Sequence, residues 1–139
     1  MRLFSTFVAM EPTAKGRART TKAGYAFTPT KTLHAEHRVQ EQVAKEWPKA
    51  VLEGPLAVTI TAQLLRPKSA PKRRVTWPIG RPDADNYAKL VLDALNGVLW
   101  RDDSQVVDLH VRKVYSEHLG FAIEVDSVEV MALLLKEVG

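Results

Sequence analysis

The stretch RPDADNYAKLVLDAL, residues 81–95, is the most informative for the fold. Apolar residues recur in it at the spacing of one helical face, and the buried stripe that we expect consists of Tyr87, Leu90, Val91, Ala94 and Leu95. Asp85 is a suitable N-cap residue, and the Asn-Gly pair at 96–97 is suited to ending a helix. We therefore predict a helix that is capped by Asp85 and packs on a core.

Strand patterns lie on both sides of this helix. Residues 56–65, LAVTITAQLL, alternate in the way typical of a half-buried strand, and residues 107–115 do the same. Residues 121–125, FAIEV, are predicted to form the hairpin partner of 107–115, joined through 116–120. An opening strand is expected from Arg2 to Val8, since β-prone residues alternate there.

A second helix is expected between the opening strand and the strand at 56–65. Thr30 is the predicted cap, Pro48 ends the helix, and its inner stripe is Ala35, Val39, Val43 and Trp47. Asp126 and Glu129 have the spacing of a capping box and favour a short terminal helix. The pattern predicts an α+β fold, a single domain over 1–139 with a mixed sheet of about four or five strands and two principal helices packed on it.

Length and composition exclude several classes of protein. A chain of 139 residues is one domain by the usual size relation, and no apolar run approaches the roughly 18 residues that a membrane span needs. There is no cysteine, hence no disulfide framework and no thiolate metal site. The first residues lack a small-residue cleavage site, so we expect a cytoplasmic protein.

Charge is distributed unevenly along the chain. Residues 1–81 carry 15 Lys and Arg against 5 Asp and Glu, whereas residues 82–139 carry 5 against 11. Such asymmetry favours a polyanion as the partner of the first half and a cation as the partner of the second. Nucleic acid and a metal ion fit these two requirements, although an unevenly solvated surface would look similar.

Basic residues are concentrated in two irregular segments, a loop or ragged hairpin at 13–31 and a long loop at 66–80. Tyr25, Phe27 and Trp77 are interleaved with them, which suits phosphate contacts with occasional base stacking. The predicted DNA-binding residues are Lys15, Arg17, Arg19, Lys72, Arg73, Arg74 and Arg81.

Two acidic clusters are candidates for a metal site. Asp83 and Asp85 lie on one side of an extended approach to the helix, and Asp102 and Asp103 lie in a predicted turn. Carboxylate oxygens from two segments are suitable ligands for Mg²⁺ or Mn²⁺, although Asp-rich caps and turns are common in their own right. Lys89 falls on the same helical face as Asp85, either in a surface ion-pair ladder with Asp93 or as a cation for a metal-held phosphate.

Five pieces of sequence, taken as a set, resemble the RusA family of Holliday junction resolvases, small endodeoxyribonucleases often encoded by phages. They are PTAKGRAR (12–19), YAFTP (25–29), RPDADNYAK (81–89), LDAL (92–95) and WRDDSQV (100–106). The resemblance spans roughly residues 7–112 in the order found in the family. Neither the loop at 68–80 nor the tail after Val125 takes part in it.

The resemblance implies a Mg²⁺-dependent homodimer that nicks a four-way DNA junction symmetrically, with Mn²⁺ as a possible substitute. By position, Asp83, Asp85 and Asp103 match the catalytic, metal-binding acids of the family, and Lys89 matches its lysine. The role of Asp102 stays open. A basic nucleic-acid-binding module without catalysis is the alternative, and a sugar-nucleotide transferase with a D-x-D site fits less well because Asp83 follows a basic loop, not an apolar strand.

Overall fold

The structure is a computed structural model that describes residues 1–69 and 76–128. In chain order the elements are β1 (Arg2–Ala9), β2 (Arg19–Thr20), β3 (Ala26–Phe27), α1 (Thr30–Glu46), β4 (Leu56–Leu64), α2 (Ala84–Ala94), a short 3₁₀ helix (Asp103–Gln105), β5 (Val106–Tyr115) and β6 (Gly120–Ser127). The predicted strands and both principal helices are thus present, and β2 and β3 form the ragged hairpin expected in the basic segment.

Four strands form one mixed sheet in the order β1-β6-β4-β5. β6 pairs antiparallel with β1 on one side and with β4 on the other, whereas β4 and β5 run parallel. The connection from β4 to β5 contains α2, as a parallel pair requires. This topology confirms the prediction of an α+β fold with a mixed sheet of about four or five strands and two principal helices; the sheet has four strands.

The predicted hairpin between β5 and β6 is wrong, because β4 lies between these two strands. The reason is the distribution of apolar side chains. Phe121, Ile123 and Val125 of β6 are fully buried, whereas Val107 and Leu109 of β5 remain exposed. The more apolar strand therefore occupies an interior position, and β5 with its alternating polar residues forms an edge.

The core lies on a single face of the sheet. Inward side chains of β4 and β6 face one another in register, with Val58 opposite Val125 and Ile60 opposite Ile123, all of them buried. Both helices cover this face, α1 through Ala35, Val39 and Val43 and α2 through the predicted apolar stripe. Truncation of one such buried aliphatic side chain to alanine generally costs about 2–5 kcal/mol, so this packing contributes substantially to the stability of the sheet under α2.

The start of α1 differs from the prediction that Thr30 caps it. Pro29, at φ −55° and ψ 142°, occupies the cap position, and Thr30 is already helical. Proline has a fixed φ that suits a helix start, and its carbonyl accepts a hydrogen bond from the Leu33 N–H at 3.2 Å. The threonine with a structural role is Thr32, which is buried and accepts a hydrogen bond from the Gly16 N–H.

The end of α2 agrees with the prediction, but the predicted cap of the terminal helix, Asp126, lies in a strand. Gly97 has the positive φ of 80° that glycine tolerates best, and the chain turns there towards the buried Trp100. Asp126 belongs to β6, where its carboxylate accepts a 2.9 Å hydrogen bond from Arg2, so its assignment as a helix cap is wrong. The remainder of the predicted helix, 129–139, lies outside the described residues.

Across the part of the chain that the structure describes, no helix combines the length and the apolar character that crossing a membrane requires.

Candidate active site

The first candidate acids lie where α2 begins. Asp83 is the N-cap residue, with extended backbone angles of φ −70° and ψ 152°, and its carbonyl accepts hydrogen bonds from the N–H groups of Asn86 and Tyr87 at 3.1 and 3.4 Å. The prediction that Asp85 is the cap is therefore wrong: Asp85 lies within the first turn. The Asp83 side chain makes no capping hydrogen bond, which leaves its carboxylate open to a ligand.

A cavity of about 470 Å³ brings most of the predicted catalytic residues together. Asp85, Lys89 and Asp93 project into it from successive turns of α2, and Asp103 enters from the segment that precedes β5. Leu109 of β5 contributes to the opposite, apolar wall. The arrangement arises because i, i+4 and i+8 positions share one helical face and because β5 lies beside α2.

Asp102 and Asp103 are neighbours with different roles. Asp102 caps the 3₁₀ helix, its carboxylate accepting a 3.0 Å hydrogen bond from the Ser104 N–H. Asp103 is the first residue of that helix and lines the cavity. The carboxylate of Asp102 is thus engaged as a helix cap, whereas Asp103 faces the cavity.

Gln105 fixes this acidic segment to the rest of the protein. Its side-chain oxygen accepts hydrogen bonds from the N–H groups of Arg101 (2.8 Å) and Asp102 (3.2 Å). Its amide nitrogen donates to the carbonyls of Leu52 (2.9 Å) and Gly54 (3.0 Å), in the segment before β4. One side chain thereby closes a capping box and holds the Asp103 segment against a separate part of the chain.

The electrostatics of the cavity favour a cation. Burial raises the pKa of Asp103, and the negative charges of Asp102 and Asp93 raise it further, while Lys89 opposes them. By contrast, the hydrogen bond from Ser104 lowers the pKa of Asp102. Negative charge that accumulates at Asp103 would be relieved by a positive ligand.

Lys89 is not part of an ion-pair ladder. Among the ion pairs of the described residues, none joins Lys89 to Asp85 or Asp93. Lys89 lines the same cavity as the two acids and forms a salt bridge with neither. Of the two interpretations that the spacing allowed, the geometry therefore favours a cation directed at a ligand.

Asp83 lies in a neighbouring cavity of about 550 Å³, separate from Asp85 and Asp103. Arg17 and Arg81 line that cavity, together with Asn86 of α2. Lys113 of β5 determines the path of the chain here, because its ammonium donates to the carbonyls of Gly80 at 2.7 Å and Pro82 at 3.0 Å. The structure thus places Asp83 beside two predicted DNA-binding arginines.

The other predicted DNA-binding residues have different surroundings. Arg17 and Arg19 line a third cavity of about 520 Å³. Lys31, which was not among the predicted DNA-binding residues, lines it as well. Lys15 faces inward: its ammonium pairs with Glu36 of α1 and lies 3.2 Å from Asp93. Lys72, Arg73 and Arg74 lie outside the described residues.

The carboxylates fit a magnesium ion that a substrate helps to hold. Within residues 1–69 and 76–128, no three acidic or histidine side chains form a ready-made metal site. Mg²⁺ usually binds to one or two carboxylates and completes its coordination with water and substrate phosphates. Asp85 and Asp103 supply two carboxylates in one cavity, and this set of hard oxygen donors is the observation that supports the fit.

Two contributors to the site escaped the sequence analysis. Asp93 was interpreted only as an ion-pair partner of Lys89, although its i+8 spacing from Asp85 already indicated the same face. Lys113 carried no local signal, because its contacts join residues more than 30 positions apart. Long-range contacts of this kind depend on the topology of the sheet.

Comparisons with known proteins identify the family of this chain. The family model described as endodeoxyribonuclease RusA matches residues 9–126. The chain is 34% identical over 119 residues to the uncharacterized protein YqaN of Bacillus subtilis (strain 168), covering 77% of this chain and 84% of that protein. It is 29% identical over 93 residues to a crossover junction endodeoxyribonuclease of Lactococcus phage r1t, covering 66% of this chain and 71% of the relative.

The matched region contains every described acid, lysine and arginine of the three cavities, from Glu11 to Asp103. A family match over most of the chain, on a fold that brings Asp85, Lys89 and Asp103 into one cavity, leads to a single conclusion. The chain belongs to the RusA family of endodeoxyribonucleases.

Proposed function

We propose that this protein is a Mg²⁺-dependent endodeoxyribonuclease that resolves four-way DNA junctions by paired, symmetric nicks. The observation that carries the proposal is the shared cavity of Asp85, Asp103 and Lys89. The name of the phage relative, a crossover junction endodeoxyribonuclease, supports the choice of substrate. Since such a nuclease acts where DNA is found, we place it in the cytoplasm.

Asp85 and Asp103 would hold the metal ion, and Asp83, which lies in the neighbouring cavity, is the third predicted ligand. When bound, Mg²⁺ or Mn²⁺ lowers the pKa of a coordinated water and polarises a phosphate. Lys89 provides an ammonium on the same wall, where it stabilises negative charge that develops on the phosphate during cleavage. The side chains of Leu109 and Val111 form the apolar part of the cavity lining.

The neighbouring cavities would position the DNA backbone. Arg17 and Arg81 lie beside Asp83, so a phosphate next to the cut can be contacted by guanidinium groups. Arg19 and Lys31 extend the positive surface into the third cavity. Contacts of this type determine the register of the strand and carry little sequence information.

Symmetric cleavage of a junction requires two active sites, and the described chain has one such acid cavity. A twofold homodimer meets this requirement, because the twofold axis relates two identical sites. Sedimentation or light scattering is expected to give the mass of a dimer.

The test compares cleavage of four-way, flap and linear duplex DNA with Mg²⁺, with Mn²⁺ and in EDTA. Asp85→Asn is expected to abolish cleavage, at least a thousandfold, and to leave junction binding intact, because the fold does not depend on this exposed carboxylate. Asp108→Asn serves as the matched control, since Asp108 lies outside the acid cavity and pairs with His110.

Two results would contradict the proposal. If Asp85→Asn cuts at the wild-type rate, the catalytic assignment is wrong. If the wild-type protein binds junctions with a steep salt dependence, about 0.9 per neutralised phosphate, and cuts in no metal, it is the basic binding module without catalysis.

A further inference from the structure

Lys15 is placed in a network that joins the two helices beneath the acid cavity. Its ammonium pairs with Glu36 of α1 and with Asp93 of α2, the latter at 3.2 Å, and its side chain is only 20% exposed. Its backbone N–H also donates to the carbonyl of Asn86 at 2.9 Å, in the first turn of α2. One residue thus contacts α2 at both ends of the catalytic face.

The residues around Lys15 hold this contact in place. Gly16, the next residue, donates its N–H to the buried Oγ1 of Thr32 at 3.1 Å. A Cβ at Gly16 would lie 2.8 Å from that oxygen and 3.3 Å from Pro29, so the segment is pressed against the start of α1. Arg17, the following residue, reaches the cavity of Asp83. The position of Lys15 is therefore determined by packing and is not that of a freely moving surface lysine.

The partner of Lys15 is one of the acids of the active site. Asp93 lines the same cavity as Asp85 and Asp103, and its charge is among those that raise the pKa of Asp103. Burial lowers the pKa of Lys15, but its hydrogen bonds with Glu36 and Asp93 outweigh burial and raise it, so Lys15 is cationic throughout the neutral range. Its charge offsets that of Asp93, whose carboxylate would otherwise add to the negative charge facing a metal ion.

We propose that Lys15 is a positioning residue of the active centre. Its ammonium, which also pairs with Glu36 of α1, holds the carboxylate of Asp93 in an ion pair. The cation in the cavity is then bound by Asp85 and Asp103 and not by Asp93. This replaces the prediction that Lys15 contacts DNA. The inference rests on the proposed metal-dependent function for the identity of the cation. It predicts that loss of Lys15 strengthens metal binding and at the same time impairs cleavage.

The direction of this effect distinguishes positioning from a purely structural role. A lysine that only supports the fold weakens metal binding when it is lost, because the ligands become disordered. A lysine that neutralises Asp93 has the opposite effect, since its removal leaves an additional negative charge at the cavity. One charge at this range changes cation affinity by about three- to tenfold.

The experiment measures Mn²⁺ binding by titration calorimetry without DNA, in parallel with junction cleavage. Lys15→Met is expected to bind Mn²⁺ about three- to tenfold more tightly than wild type and to cut at least tenfold more slowly. Asp93→Asn added to Lys15→Met should return Mn²⁺ affinity to the wild-type value, and Lys15→Arg, which keeps the charge, should remain close to wild type. Lys45→Met is the matched control, since it removes one positive charge from the last turn of α1.

A second measurement covers the case in which Lys15→Met folds poorly. Urea unfolding in EDTA of wild type, Lys15→Met, Asp93→Asn and the double variant gives the coupling between the two side chains, which is expected to be favourable. The inference about Lys15 is overturned if the two side chains show no coupling. It is also overturned if Lys15→Met folds but binds Mn²⁺ no more tightly than wild type. In either case, cleavage by the wild-type protein still supports the nuclease proposal. A wild-type protein that neither binds Mn²⁺ nor cuts overturns the nuclease proposal and the metal part of this inference, and leaves the coupling as a contact of the fold alone.

Discussion

Lys113→Met tests how the chain before α2 is held. The Lys113 ammonium donates to the carbonyls of Gly80 and Pro82, on either side of Arg81 and directly before Asp83. Hydrogen bonds from a charged donor contribute about 1.5–3 kcal/mol each when buried, but both lie at the surface, so a loss of about 1–2 kcal/mol in total is expected. For a protein of this size that corresponds to a fall in Tm of about 3–8 °C.

Cleavage should suffer more than stability does. Freed from Lys113, Asp83 and Arg81 lose a fixed position relative to the sheet, and a displacement of about 1 Å at reacting groups can lower the rate about a hundredfold. Cleavage of a four-way junction by saturating protein is therefore expected to fall about ten- to hundredfold, and the loss of junction affinity through Arg81 should be smaller than this loss of cleavage.

Arg112→Met is the matched control, because Arg112 is the exposed neighbour of Lys113 on β5 and makes no hydrogen bond or ion pair among the described residues. Thermal unfolding and single-turnover cleavage are measured for both variants. The reasoning is refuted if Lys113→Met matches Arg112→Met in both measurements. It is equally refuted if the loss of cleavage is fully accounted for by weaker junction binding, since Lys113 would then be a phosphate contact.

Two further variants test the electrostatics and the packing of the site. In EDTA, Asp103→Asn is expected to raise the free energy of unfolding at pH 7 by a few tenths of a kcal/mol, because the raised pKa of Asp103 disfavours its ionised form in the folded state. This gain should vanish as the pH falls below about 4, where Asp103 is protonated in both states; a gain that persists at pH 3 would contradict the assignment. Gly16→Ala should destabilise the protein by about 1–3 kcal/mol in urea unfolding, since its Cβ would meet Thr32 Oγ1 at 2.8 Å. Gly80→Ala, whose Cβ meets nothing within 4 Å, should change stability by less than about 1 kcal/mol, and equal losses in the two variants would refute the packing argument.

The elements of the fold could be predicted from the sequence, but their order in the sheet could not. Alternation and helical spacing are local patterns, so β4, β5, α1 and α2 were all found with small errors at their ends. The predicted hairpin of β5 with β6 was wrong because it was based on the closeness of the two strands in sequence, whereas the burial of their side chains determines their order in the sheet. Phe121, Ile123 and Val125 are fully buried, and an interior strand has a neighbouring strand on each side to bury them.

The grouping of candidate residues in one cavity was predictable for a similar reason, and their environment was not. Asp85 and Lys89 share a helical face by spacing alone, and Asp103 follows in the motif. The helix start was misplaced by two residues because Asp83 and Asp85 are equally good caps by type. The inward direction of Lys15 was missed because a lysine among arginines in a basic segment looks like a surface charge until α1 and α2 are packed together.

The pairing of β1 with β6 has a consequence for how the protein is made. Phe4 lies opposite Val125, so the first strand finds its partner about 120 residues later along the chain. By contrast, the acids from Asp83 to Asp103 are close together in sequence. During synthesis the catalytic segment leaves the ribosome well before the strand that completes its platform. Contacts of such long range form slowly, and a chain that stops before residue 120 leaves β1 and β4 with exposed edges. The sheet is therefore completed late, when β6 pairs with both β1 and β4, and only then does the acid cavity have its full support.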